Sequence, residues 1–422
     1  MTSYKVGPSP DTKSGIFYGY IVVTASLFMK IAMWGAYFSF GIFFKPVLTE
    51  FGWMRAMTAG AFSLSMAIQG LLGTAMGEFT DRFGPRVVMT LCGLLFGLGH
   101  LLMSQINSVW QLYLYYGVII GIGMSGVMVS LMTTVARWFV KRRSMMSGVV
   151  LIGTGIGSLI TPPVASWLIS AYDWRMSYII VGGVVLAIVI ITAQFLRRDP
   201  AQMGLMPYGI YEKGEPESKS EVIALSPRET LNTKQFWVIC AQFSCFGVGM
   251  FATMVHIAPH AMDLGASAGG AASVLATIGG LVIVGRVVLG HIGDRIGNKN
   301  VFVIGFILFT GAFLWLAPAK EPWMVYPFAV VYGFAQGGMG ASQSPLVAGF
   351  FGLRSHGLIF GLTGIGFTSG AALGPWLAGY TFDMTGSYQI AFLSCAAISI
   401  IGLLLTLLLT PIKSDRMKAV VL

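Results

Sequence analysis

Gly77-Glu78-Phe79-Thr80-Asp81-Arg82-Phe83-Gly84 returns 213 residues later as Gly290-His291-Ile292-Gly293-Asp294-Arg295-Ile296-Gly297. Other pairs follow at nearly the same offset. Tyr116-Gly117 matches Tyr332-Gly333, Ser147-Gly148 matches Phe360-Gly361, and Gly153-Thr154-Gly155-Ile156-Gly157-Ser158 is echoed by Gly364-Ile365-Gly366-Phe367-Thr368-Ser369. Several shared elements at nearly one spacing imply an internal duplication. On either side of each copy lie apolar runs long enough to cross a bilayer, which takes roughly 20 residues. The predicted spans are 17–44, 57–77, 87–105, 110–136, 144–169, 175–196, 235–258, 269–290, 300–318, 323–348, 357–380 and 388–410. The reading is an all-α integral membrane protein, twelve transmembrane helices in two six-helix pseudo-symmetric bundles.

Composition agrees. Of 422 residues only 10% are charged and 55% are apolar, and the mean hydropathy is +0.78. Soluble domains carry about 25% charge, so a disordered chain is ruled out and the composition argues against an ordinary cytosolic enzyme. The 55 glycines suit close helix approach in lipid. The net charge of +10 has a topological explanation. With both termini cytoplasmic, only Lys45, Arg55, Arg175 and Lys320 of the 26 lysines and arginines fall outside, and only Lys30 and Arg286 lie within spans. No nucleic-acid partner is needed. Residues 1–16 read as a cytoplasmic tail without a removable leader, 17–196 and 235–410 as the two bundles, 197–234 as a cytoplasmic linker and 411–422 as a second tail. Cys92, Cys240, Cys245 and Cys395 lie in apolar runs without metal-ligand spacing, so neither a metal nor another cofactor is expected.

The G-x-x-x-D-R-x-G pattern, twice and where the topology places it, resembles the signature loop of the major facilitator superfamily. The resemblance implies a gating role for Gly77, Asp81, Arg82 and Gly84, and for Gly290, Asp294 and Arg295. A carboxylate and a guanidinium can make and break a charge-assisted pair as a gate moves; a merely solvated turn is the alternative. More narrowly, the chain resembles the bacterial monocarboxylate-transporter and oxalate/formate-antiporter branch. The residues are Tyr37 to Pro46 at the end of helix 1, Phe51-Gly52-Trp53-Met54-Arg55-Ala56, Ala136-Arg137-Trp138-Phe139, the glycine ladder and Pro162-Pro163 of helix 5, Asp173-Trp174-Arg175 and Thr385-Gly386-Ser387-Tyr388. It runs over nearly all of the chain outside the N-terminal tail and the linker.

Ionisable groups in hydrocarbon are costly and mark function. Arg286 offers a planar fork that matches a carboxylate, and small neighbours at 279 and 290 leave room for a ligand; snorkelling is the alternative. The resemblance implies that Arg286 binds substrate. Lys30 shares a helical stripe with Trp34, Tyr37 and Gly41, and either adds a second cation to the cavity or donates to backbone carbonyls. Tyr37, Phe38, Tyr332, Gln336 and Thr363 complete the candidate pocket. Gln69 is a further polar residue in helix 2, while Met124, Met128 and Met132 read as packing. His256 is a proton-coupling candidate, with a hydrogen-bonded helix-end histidine as the alternative. Three positions depart from relatives of the branch. Phe38 and Val282 replace a lysine and an aspartate of the animal transporters, and Phe367 replaces a lysine of the antiporters.

The expected function is secondary transport of a small organic anion, a monocarboxylate, across a bacterial inner membrane by alternating access. The expected protein is a functional monomer, with protons as a possible co-substrate. An oxalate/formate-type exchanger and a non-transporting anion sensor are the alternatives. No nucleophile–base pair or Walker motif supports an enzyme.

Overall fold

The computed structural model describes residues 17–140, 142–209, 225–352 and 355–410. The tails expected at 1–16 and 411–422, and 210–224 of the linker, lie outside these. Among the described residues twelve long helices follow one another: α1 Tyr18–Phe51, α2 Arg55–Phe83, α3 Pro85–Met103, α4 Val109–Trp138, α5 Arg143–Ala171, α6 Trp174–Ala193, α7 Lys234–Asp263, α8 Ala268–Ile296, α9 Asn298–Leu316, α10 Val325–Phe351, α11 His356–Thr385 and α12 Gln389–Leu408. Eleven contain stretches long and apolar enough to span a membrane. The remaining one, α10, is diluted by Gln336, Ser342, Gln343 and Ser344.

The chain enters α1, leaves α12 and crosses from α6 to α7 on one side, the linker face. The other side is called the far face. The two halves meet along α2–α11 and α5–α8, and on the far face where the outer part of α1 packs on α7. Among the described residues, α4 and α10 form no comparable seam. The halves are therefore closed on the far face and parted between α4 and α10 towards the linker face.

Local chemistry sets several details. Helix α1 breaks at Ser39, between Phe38 and Phe40. The Ser39 hydroxyl donates to the Gly35 carbonyl at 2.8 Å, a back-bond that bends helices. The duplicated motif, expected as a loop, is helical. Nothing from Gly77 to Phe83 breaks a helix, and α2 runs to Phe83; the turn is Gly84 alone, with φ +82°, followed by Pro85. The second copy repeats this, α8 running to Ile296 and Gly297 turning at φ +87°.

Helices α8 and α10 touch backbone to backbone. A Cβ on Gly337 would lie 2.2 Å from the Val282 carbonyl oxygen and 2.7 Å from the Arg286 nitrogen. Small residues permit that approach. Gly337→Ala is expected to cost about 2 kcal/mol through overpacking, measured as a lower Tm. Gly361→Ala, which meets nothing within 4 Å, is expected to change stability by under about 0.5 kcal/mol.

Candidate functional site

Lys30 and Arg286 lie at the same depth between the halves. At 1.5 Å rise per residue, Lys30 is about 18 Å along α1 from its linker-face end, and Arg286 about 15 Å from the linker-face end of α8. The longer α8 sets Arg286 deeper than the sequence reading, which ended the span at 290. A single turn of α5 joins the two. The Leu151 carbonyl accepts from Arg286 Nη1, and Gly153 is so close to Lys30 that a Cβ there would lie 3.0 Å from the lysine Cβ.

Neither cation has an acidic partner among the described residues. Lys30 is 2% exposed. Its Nζ lies 3.2 Å from Met128 Sδ and 5.0 Å from the centre of the Trp34 ring. Met128, read from sequence as packing, thus touches the charge. A cation over an indole face gains about 2 kcal/mol when desolvated, well short of what an ion loses by burial. Arg286 is half-buried, and its Nε has no partner. Buried polar atoms without partners also include Trp34 Nε1, Gln69 Nε2 and Gln336 Oε1. Gly340, one turn from Gln336 on α10, places a hypothetical Cβ 3.4 Å from Arg286 Nη2. Buried polar groups normally find partners, so the free Nε of Arg286 and the Trp34 Nε1 beside Lys30 mark where a polar ligand would be satisfied.

The remaining pocket candidates are placed elsewhere or differently. Phe38 stands towards the far face, its ring 5.2 Å from Trp34 and 6.1 Å from Phe251 of the opposite half. Phe251 also meets Phe62 and Phe367, each at 5.9 Å. These four rings form an aromatic plug beyond Lys30. Phe251 carried no signal in an apolar helix. Tyr37 is engaged inside the first half, its hydroxyl bonded to Ser65 and its ring stacked on Tyr116. The structure does not bring Tyr332 to the cations through its hydroxyl, which donates to the Met250 carbonyl at 3.1 Å, while its ring stacks 4.6 Å from Phe309. Thr363 is fully buried and donates to the Phe360 carbonyl. Their polar atoms already have protein partners, so helical spacing alone overstated their availability.

Above the plug, the far face is latched by charge across the halves. Asp263 pairs with Lys45 at 3.0 Å and Arg55 at 2.7 Å. The Asp383 carboxylate accepts the main-chain N–H groups of Arg55 and Ala56 at 2.9 and 2.7 Å. These are orphan donors at the start of α2, where a carboxylate is favoured. Arg55 also donates to the Tyr388 hydroxyl at 2.7 Å and stacks 3.7 Å over Phe382. His256 belongs to this latch, with both ring nitrogens bonded, to Tyr388 and to the Pro375 carbonyl. Arg55 and Tyr388 stand in two of the segments that carried the family resemblance. Asp263 and Asp383 lie just beyond the predicted spans 235–258 and 357–380.

At the linker face, Asp81 pairs with Arg137 of α4, in the same half. Arg82 lies beside the Phe83 ring. Gly77 packs near Val129, where a Cβ would come to 3.2 Å. Asp294 and Arg295 are exposed, and no ion pair joins the halves on this face among the described residues. Gly290 has room: a Cβ there would meet the Ala341 Cβ at 3.7 Å.

A family model described as Major Facilitator Superfamily matches residues 26–292 and again 237–420. The chain belongs to that superfamily. Among relatives of this superfamily member, it is 27% identical to monocarboxylate transporter 13 of Bos taurus over 91% of this chain and 88% of that protein. It is 28% identical to monocarboxylate transporter 11 of Homo sapiens over 95% and 84%. Of solved structures, a bacterial homolog of the human lysosomal transporter Spinster, inward-facing and occupied, superposes with a TM-score of 0.76 at 14% identity, covering 94% of this chain and 97% of that one. A point mutant of the nucleoside transporter NupG gives 0.72 at 15% identity, covering 92% and 99%. These place the superfamily's two-domain, twelve-helix transporter fold on this multi-pass membrane protein.

Proposed function

We propose that this chain is a secondary transporter of small organic anions, with a monocarboxylate as substrate, working by alternating access in a bacterial inner membrane. The linker face and both termini are then cytoplasmic, and the observed arrangement faces inward. The carrying observation is the pair Lys30 and Arg286, two cations between the halves with no acidic partner among the described residues. Arg286 takes the carboxylate through its fork, and Lys30 adds charge and a hydrogen bond from the opposite half. The names of the relatives support the carboxylate. An anion bridging α1 and α8 draws the halves together on the linker side, the movement that occlusion needs.

The test is counterflow in liposomes, with radiolabelled lactate, pyruvate, isobutyrate and phenylacetate against the matching amides. Saturable exchange of at least one acid, with the amides inert, supports the reading; amides moving equally well would overturn it. Lys30→Met keeps the side-chain length and removes the charge. We expect a loss of about ten-fold in kcat/KM, about 1.4 kcal/mol, chiefly through KM. Counterflow by wild-type protein without a pH gradient identifies an exchange-competent carrier and leaves the coupling to the experiment that follows.

A further inference from the structure

The far-face latch contains more titratable groups than an ion pair requires. From the first half come Lys45 and Arg55; from the second come Asp263, Asp383 and, behind them, His256 and His260 one turn apart on α7. His256 is fully buried, its ring 5.3 Å from Phe44. Its Nε2 lies 2.8 Å from the Pro375 carbonyl. A carbonyl only accepts, so this nitrogen carries the hydrogen. The neutral ring then leaves Nδ1 as acceptor for the Tyr388 hydroxyl at 2.9 Å. The Tyr388 oxygen in turn accepts from Arg55 Nη1 at 2.7 Å. Donation runs one way, from Arg55 through Tyr388 and His256 to Pro375, and crosses between the halves once, at Arg55. A proton on Nδ1 would remove the acceptor that Tyr388 uses and place a second cation beside Arg55.

His260, with its Nε2 buried and unpartnered, stands edge-on to Tyr388 and Phe392 at 5.5 and 4.9 Å. When the halves part on this face, Lys45 and Arg55 leave together, because both belong to the first half. Asp263, Asp383, His256, His260 and Tyr388 remain as one group. That group loses two neighbouring positive charges and gains access to water. Among the described residues, the substrate site has no carboxylate that could take a proton alongside Lys30 and Arg286. We propose that the His256 cluster of the second half is a proton-binding site, loaded from the far side when that face opens and, once Arg55 returns and closes that side, emptied towards the linker-side opening between the halves. It couples proton movement to the cycle at a distance from the bound anion. The inference rests on the transporter reading above.

The experiment uses full-length protein in liposomes with the fastest-exchanging acid of the panel. With one proton per anion, a gradient of one pH unit sustains about ten-fold accumulation. The wild type is expected to accumulate the acid towards the alkaline side. His256→Gln keeps an N–H for Pro375 and an acceptor for Tyr388 but takes no proton. It is expected to bring accumulation to the equilibrium level while counterflow, which needs no net proton movement, continues. Asp263→Asn, at a partly exposed position, is the second variant should the first fail to fold, with the same expected split. Gradient-driven accumulation that persists in the variants overturns the proposal, as does a wild type that exchanges the acid but does not accumulate it under the gradient. Loss of both modes in both folded variants also overturns it, since the cluster would then serve only as a latch. A wild type that exchanges no acid at all defeats the carboxylate reading instead.

Discussion

Arg286→Gln is expected to abolish measurable anion exchange, with kcat/KM down by about 100-fold or more. Truncating one member of a desolvated charge pair costs about 2–5 kcal/mol, and about 3 kcal/mol corresponds to roughly 100-fold. Arg286 is the better anchor of the two cations for structural reasons. Its Nη1 is fixed by the Leu151 carbonyl, while its Nε is buried without a partner. Lys30 Nζ already rests on Met128 and the Trp34 ring. The backbone approach of Gly337 to the Arg286 nitrogen holds the base of the side chain in place. Arg286→Lys retains charge but loses the planar fork, so it is expected to fall between wild type and the glutamine variant. Counterflow rates and substrate-induced shifts in Tm check both. Full exchange by Arg286→Gln would transfer the anchor to Lys30.

The sequence exposed the fold because duplication and apolar run length are properties of neighbouring residues. The pair Gly84 and Gly297 marks corresponding turns in both halves, and the chain needs them there. Lys30 and Arg286 stood out because charge is rare in apolar runs. Their approach to each other did not, since it depends on how α1 and α8 cross α5. The depth of Arg286 was misjudged for a related reason. Hydropathy falls after Gly290, but helical hydrogen bonding continues to Ile296. Tyr332 and Gln336 share a helical stripe, yet the tyrosine hydroxyl is taken by backbone carbonyls of α7. The latch was least legible. Asp263 and Asp383 resemble any solvated helix end until the fold brings Arg55 to both.

Asp383→Ala is expected to unlatch the far face. The carboxylate accepts two main-chain N–H groups from the first turn of α2, at 2.9 and 2.7 Å, and alanine leaves both without that partner. Hydrogen bonds to a charged group contribute about 1.5–3 kcal/mol each. Part of that returns because water reaches these partly exposed groups, so about 2 kcal/mol is the expected loss, a shift of about 30-fold towards the far-open arrangement. The ion pairs of Asp263 with Lys45 and Arg55 stay in place, so the closed form is weakened but not abolished. Spin labels at Met54→Cys and Met384→Cys, both well exposed on opposite halves, report the separation directly. A second, longer distance should appear in Asp383→Ala without substrate. Exchange should persist, because the cation pair lies below the plug and is untouched. An unchanged distance distribution would mean that Phe38, Phe251 and the α2–α11 seam hold the far face closed, with the carboxylates as bystanders.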